Sequence, residues 1–222
     1  MKVVEPDEGE ILDIELDEDL LRRNRELAEK NRKLLDQYNI RAIDVMGSIG
    51  SGKTSLIMQL ATRLSGRHKI AVIAGDLTTT IDAERISSAG ANVIEVNTGR
   101  ECHLDANLVR KAISELNLEG IDLLFIENVG NLICPADFPL GSHYRVVVIS
   151  VTEGPYMVVK HPFIFIDADA VAINKIDLSQ AMGVKVEQLE QQLLVIKPEL
   201  KVAKTNFRTG EGIDELIEAL RL

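Results

Sequence analysis

Gly47-Ser48-Ile49-Gly50-Ser51-Gly52-Lys53-Thr54 fills every position of the GxxxxGK[ST] pattern. An apolar run at residues 43–46 precedes it and reads as a strand; an amphipathic stretch at 53–64 follows and reads as a helix. In that setting the glycines let backbone N–H groups turn inward around phosphate oxygens, and the helix N-terminus adds partial positive charge. Lys53 is expected to reach the β- and γ-phosphates and Thr54 to ligate Mg2+. Gly47, Ser48, Gly50, Ser51, Gly52 and Ser55 are expected to complete the cradle. The stretch predicts a nucleoside triphosphate site on an α/β domain.

Outward from it, short apolar runs alternate with amphipathic stretches, as in a parallel sheet covered by helices. Strands are expected at 43–46, 69–74, 93–96, 121–127, 145–151, 170–174 and 201–203, and helices near 53–64, 82–89, 105–116, 185–194 and 212–220. The predicted fold is a P-loop NTPase: an open, doubly wound, mostly parallel sheet with helices on both faces, binding ligands at the carboxyl ends of its strands. It is expected to fill residues 39–222. Residues 1–38 are read as an acidic N-terminal segment and an amphipathic helix. Nine acidic residues and one Lys among the first 20 hold most of the chain's net charge of -10. The helix is predicted from about Asp17 to Gln37, with an apolar stripe at Leu20/Leu21, Leu27/Ala28 and Leu34/Leu35 that packs on its own domain or pairs with a second chain.

The nucleotide base is read from Asn174-Lys175-Ile176-Asp177, an NKxD pattern about 120 residues after the phosphate loop, at the end of an apolar strand. A carboxylate placed like Asp177 accepts from guanine N1–H and the exocyclic amine, which adenine does not offer at that edge. Asn174 would address N7 and the Lys175 stem a ring face, so GTP is expected over ATP. Thr205 and Asn206 fall where a loop would close over the base. Asp76 ends the second strand, where it reaches Mg2+ through a water, polarises the attacking water, or merely caps a helix. Glu127-Asn128-Val129-Gly130 has the form of a DxxG element with Glu for Asp; Gly130 would meet the γ-phosphate, and Glu127 would hold Mg2+ or its water. The catalytic assignment is thus Lys53, Asp76 and Glu127. No activating arginine or glutamine stands beside them, so hydrolysis is expected to be slow.

The acidic balance disfavours nucleic-acid and membrane-surface roles. No apolar run reaches the roughly 18 residues of a membrane span, and the N-terminus shows no secretory signal, so an intracellular, cytoplasmic protein is expected. In a reducing compartment the two cysteines, Cys102 and Cys134, are metal ligands, reactive thiols or core filler. With His103 they would suit Zn2+ or Ni2+ and leave a fourth position for water or another subunit.

Taken with the phosphate loop and Asn174–Asp177, two further stretches carry a resemblance. Thr98-Gly99-Arg100-Glu101-Cys102-His103-Leu104-Asp105-Ala106 and Glu127-Asn128-Val129-Gly130-Asn131-Leu132-Ile133-Cys134-Pro135 make residues 40–222 similar to the HypB family. These GTPases insert nickel during maturation of [NiFe] hydrogenase. The resemblance implies Cys102, His103 and Cys134 as ligands for Ni2+ or Zn2+, a GTP-dependent homodimer with the metal at its interface, and two partners, a hydrogenase maturation protein and the large-subunit precursor. Residues 1–40 carry neither the CxxCGC motif nor the His-rich tract of some members, so nickel storage is not expected. Residues 152–162 resemble a family loop but have Pro155, Tyr156 and Met157 where acidic residues and Lys are usual; Lys160 remains a charge for a partner's nucleotide. Three alternatives stand beside this reading, one of them an ordinary regulatory GTPase whose cysteines merely fill space; the other two bind metal. One is a nucleotide-gated metal-binding module with negligible turnover. The other is a urease-type nickel-insertion GTPase, which typically carries Cys-Pro-His where this chain reads Cys134-Pro135-Ala136.

Overall fold

The computed structural model describes residues 14–76, 86–87, 91–99 and 102–222, with backbone alone for 14–17 and Asp76. Seven strands form one parallel sheet: β1 (Arg41–Gly47), β2 (Ile70–Asp76), β3 (Asn92–Asn97), β4 (Leu123–Glu127), β5 (Tyr144–Ser150), β6 (Ala170–Asn174) and β7 (Lys201–Lys204). Their order is β3-β2-β4-β1-β5-β6-β7. Every predicted strand is present, each within about two residues of its expected ends. The central strands read as unbroken apolar runs because both faces are covered: β4 and β6 are buried at every residue. The sheet has β1 between β4 and β5, which sets the loop after β1 among the carboxyl ends of its neighbours.

Side chains alternate across β1. Ile43 and Val45 face a core built with helix α2 (Lys53–Leu64) and the C-terminal helix, α8 (Ile213–Leu220). Ala42 and Met46 face the other way, into two separate clusters. The first of these is covered by α1 (Ile14–Gln37) and α3 (Ala106–Ser114), the second by α4 (Met157–Lys160), α5 (Phe163–Ile166) and α7 (Val186–Ile196). Asp44, between Ala42 and Met46, is fully buried where they meet. Helix α6 (Ser179–Met182) follows β6. Helices α4, α5 and α6 span one turn each, too short for a periodic pattern to reveal them. The helix expected at 82–89 lies outside the described residues except for Ile86 and Ser87, which are helical.

Helix α1 packs on its own chain, with a stripe different from the expected one. Ala28 and Leu35 are buried, but Leu20 is 53% exposed. The buried line is completed by Asn24 and Asn31 at heptad spacing. Asn24 Nδ2 donates to Pro139 O at 2.9 Å and its Oδ1 accepts from Ala106 N at 2.8 Å. Asn31 Nδ2 donates to Ala106 O at 2.8 Å and to Leu140 O at 3.1 Å. Leucine counting missed this because buried amides hydrogen-bonded to backbone sit in a core as well as apolar groups do. The helix thus clamps α3 and the loop at 139–142 together.

Candidate nucleotide and metal site

The phosphate loop leaves β1 and enters α2 at Gly52, whose φ of 115° lies where a side chain is strained. A Cβ there would also run into Asn174 and Phe207. Lys53 folds back over its own loop, donating to Gly47 O at 3.2 Å and Ser48 O at 3.0 Å. Ser51 is buried, and its hydroxyl has no hydrogen-bond partner among the described residues. A cavity of about 690 Å³ opens over the loop, large enough for a nucleotide. Gly50, Gly52, Lys53, Thr54, Ser55, Glu127, Gly130, Asn174, Lys175, Asp177 and Asn206 all line it.

At its far end the loops after β6 and β7 are tied to the phosphate loop. Asn174 Nδ2 donates to Ser51 O at 2.8 Å, and its Oδ1 accepts from Phe207 N at 3.2 Å. Lys175 takes a left-handed φ of 59° and donates through Nζ to Gly50 O at 2.8 Å. Asp177 shares the wall with Leu178, Phe207 and Arg208. Thr205 does not line the cavity; it is fully buried, and its hydroxyl donates to Ile173 O at 3.2 Å, bracing the strand end beneath the wall. Gly47, Ser48 and Ser51 form the loop behind the lining residues. The Asp76 backbone ends β2, and its side chain lies outside the described residues.

The segment after β4 lies against the loop. Thr54 Oγ1 donates to Glu127 Oε1 at 2.7 Å, both groups buried. Asn131 N donates to Gly47 O at 3.1 Å. Gly130 packs closely on Ile49: a Cβ there would overlap the Ile49 side chain and crowd its backbone. Sequence reasoning missed Glu153, in the turn after β5. Burial pushes its carboxyl up, against the pull of its hydrogen bond from Ser150 N and the charges of Lys175 and Lys53.

Beyond Gly130 the same segment reaches Cys134, which begins a 3-10 turn, Cys134–Ala136. Cys134 Sγ stands 3.0 Å from Cys102 Sγ, and Cys102 Sγ 3.7 Å from His103 Nδ1. The ligand atoms of Cys102, His103 and Cys134 all lie within 4.8 Å of one another. The Cys134 thiol beside it, with some help from burial, raises the Cys102 thiol above its ordinary range. The His103 ring rests on Phe138 with centroids 4.0 Å apart, which fixes the imidazole. Asn131 Nδ2 donates to Cys102 O at 3.3 Å, so the two cysteine-bearing segments are also joined through backbone. Two thiols and an imidazole, with Cys102 exposed, form a soft-donor set open on one side. Arg100 and Glu101 of the motif lie outside the described residues.

Comparison with known proteins places the chain in a family. Residues 41–204 match the CobW/HypB/UreG nucleotide-binding domain model. The chain is 52% identical over 205 residues to a protein of Methanocaldococcus jannaschii named Probable hydrogenase maturation factor HypB, covering 92% of this chain and 93% of that one. The crystal structure of the hydrogenase maturation factor HypB from Archaeoglobus fulgidus superposes with a TM-score of 0.84 at 44% identity, covering 90% of this chain and 98% of that chain. HypB from Helicobacter pylori, solved in complex with nickel, superposes with a TM-score of 0.84 at 33% identity, covering 90% and 95%.

Proposed function

The chain belongs to the CobW/HypB/UreG nucleotide-binding family, on its HypB side, and from that premise we propose that it is a slow GTPase that carries nickel to [NiFe] hydrogenase during maturation. Its cycle pairs two chains around the metal in the GTP state and releases metal after hydrolysis. The observation that carries this reading is continuity: one segment, residues 127–134, runs from the cavity wall to a metal ligand. Movement of Glu127 or Gly130 on γ-phosphate therefore moves Cys134.

The individual roles follow from donor chemistry. Asp177 accepts from the guanine edge, Lys175 covers the ring, and Lys53 holds the β- and γ-phosphates. Thr54 and Glu127 are buried hard oxygen donors 2.7 Å apart, a set that fits Mg2+, with Asp76 as the third residue assigned to it. Mg2+, when bound, neutralises charge on the phosphates. Cys102, His103 and Cys134 take Ni2+ or Zn2+ as cargo, and the exposure of Cys102 leaves room for a ligand from a second chain or a recipient. Among the described residues no helix is long and apolar enough to cross a membrane. The same reading, by analogy with the HypB relatives, sets the protein in the cytoplasm beside the hydrogenase large-subunit precursor and its maturation proteins. The urease pathway is disfavoured by Ala136, which offers no ring nitrogen after Cys134-Pro135.

Metal content and solution mass, measured on one preparation divided between GDP and a non-hydrolysable GTP analogue, test the proposal. The analogue should give a dimer with more tightly held Ni2+, abolished by Cys102→Ala. Equal mass and metal content in both states would refute the cycle.

A further inference from the structure

The segment at 127–134 explains how nucleotide would move Cys134, but Cys102 and His103 belong to another part of the chain. Asn128 links the two. It is fully buried, and its backbone N–H donates to Val45 O at 3.0 Å, fixing it to the end of β1. Its side-chain Oδ1 accepts from Val129 N at 3.0 Å and from Leu104 N at 3.1 Å. Leu104 is the residue after His103. One amide oxygen thus holds the start of the nucleotide-sensing segment and the end of the Cys102-His103 pair.

The orientation of that amide is set from the other side. Asn128 Nδ2 donates to Asp44 Oδ1 at 3.3 Å, inside the domain. A flipped amide would face two N–H donors with its NH2 and leave three buried polar groups mismatched, at roughly 1–3 kcal/mol for each. Asp44 also pairs in register with Arg145 on β5. Arg145 Nη1 donates to Ala136 O at 3.4 Å, on the turn that holds Cys134. Asp44 therefore stands behind both halves of the metal cluster, reaching one through Asn128 and facing the cation that supports the other.

On the premise of the nucleotide-coupled metal site above, we propose that Asn128, oriented by Asp44, is the positioning residue through which the nucleotide-sensing segment moves Cys102 and His103 together with Cys134. Without it, the Cys102-His103 pair would be tied to that segment only by the exposed bond from Asn131 Nδ2 to Cys102 O, and the three donors would follow nucleotide less closely as a unit.

The test is the ratio of Zn2+ affinities in the analogue-bound and GDP-bound states, for wild type, Asn128→Ala and Asp44→Asn. Wild type should show a ratio of roughly fivefold or more. Asn128→Ala should lower the ratio well below that of wild type while keeping one Zn2+ per chain. Asp44→Asn, which keeps an acceptor for Asn128 Nδ2, should retain the wild-type ratio. A wild-type ratio of one would sink the parent reading; a high ratio retained in Asn128→Ala would sink the role of Asn128 alone. Should Asn128→Ala fail to fold, the Leu104 amide resonance of metal-free wild type decides: it should differ between the GDP and analogue states, and an unchanged resonance overturns the proposal.

Discussion

Thr54 Oγ1 and Glu127 Oε1 are 2.7 Å apart, so the first turn of α2 and the end of β4 share a buried polar contact at the floor of the cavity. A cation that takes both oxygens inherits this arrangement. Glu127→Gln keeps an acceptor for Thr54 but removes the negative charge. Phosphate release is expected to fall by on the order of 10²-fold, with Mg2+-free GDP affinity little changed. Single-turnover hydrolysis across a Mg2+ series checks it, and wild-type rates would remove Glu127 from the catalytic set.

Asp177 carries the choice of base. Asp177→Asn replaces one of two acceptors with a donor, which mismatches the guanine amine and suits the carbonyl that xanthine carries at that position. GTP affinity should drop about 10–100-fold and xanthosine triphosphate should gain. Competition against a fluorescent GDP analogue reads both, and unchanged preference would place the base elsewhere.

Phe138 supports His103 without donating to a metal. Phe138→Ala frees the imidazole and should weaken Zn2+ or Ni2+ binding about tenfold while leaving stoichiometry at one per chain. Competition with a chromophoric chelator measures this. Unaltered affinity would mean that His103 is not a ligand or needs no support.

Asp44 gives a pH dependence of stability. Burial is the main cause that raises its carboxyl from 3.8 to about 6, only partly offset by the charge of Arg145 and the hydrogen bond from Asn128. Between those values the folded chain holds a proton that the unfolded chain releases, so the contribution of this group to stability falls as pH rises through the window and stays low above it. Asp44→Asn should therefore exceed wild type in stability at pH 7 by on the order of a few kcal/mol. The gap should close as pH falls towards 4. Urea unfolding of the two proteins across that range tests the sign; a gap independent of pH would contradict it.

Helix α1 separates buried amides from exposed leucines. Asn31→Ala removes the buried amide donor that the carbonyls of Ala106 and Leu140 share and should cost about 2–3 kcal/mol. Leu20→Ser, at a half-exposed position, should stay within roughly 0.5 kcal/mol. Equal effects would mean that the leucine stripe dominates after all.

What was legible in the sequence follows the range of each signal. Strand–loop–helix order and unbroken apolar runs are local, and all seven strands and the wall formed by Lys53, Thr54, Glu127, Asn174, Lys175 and Asp177 could be read from them. Cys102 and Cys134 are 32 residues apart, and only a family resemblance joined them; spacing alone does not set two thiols 3.0 Å from each other. The buried polar links were hidden. Asn24, Asn31, Asn128 and Asp44 read as surface residues or strand irregularities until their partners, mostly distant backbone groups, are known. Asn128 lies within the Glu127–Gly130 motif, but nothing in a single sequence shows that its amide spans to Leu104.

The central claim is that nucleotide and metal sense each other through the segment from Glu127 to Cys134. Linkage makes that claim reciprocal: a metal that prefers the GTP state must tighten GTP by the same factor. Calorimetric titration of a non-hydrolysable GTP analogue into the protein, with and without one equivalent of Ni2+, measures it directly. The analogue is predicted to bind roughly fivefold tighter or more with Ni2+ present, and GDP not to. Identical analogue affinities with and without metal would contradict the account.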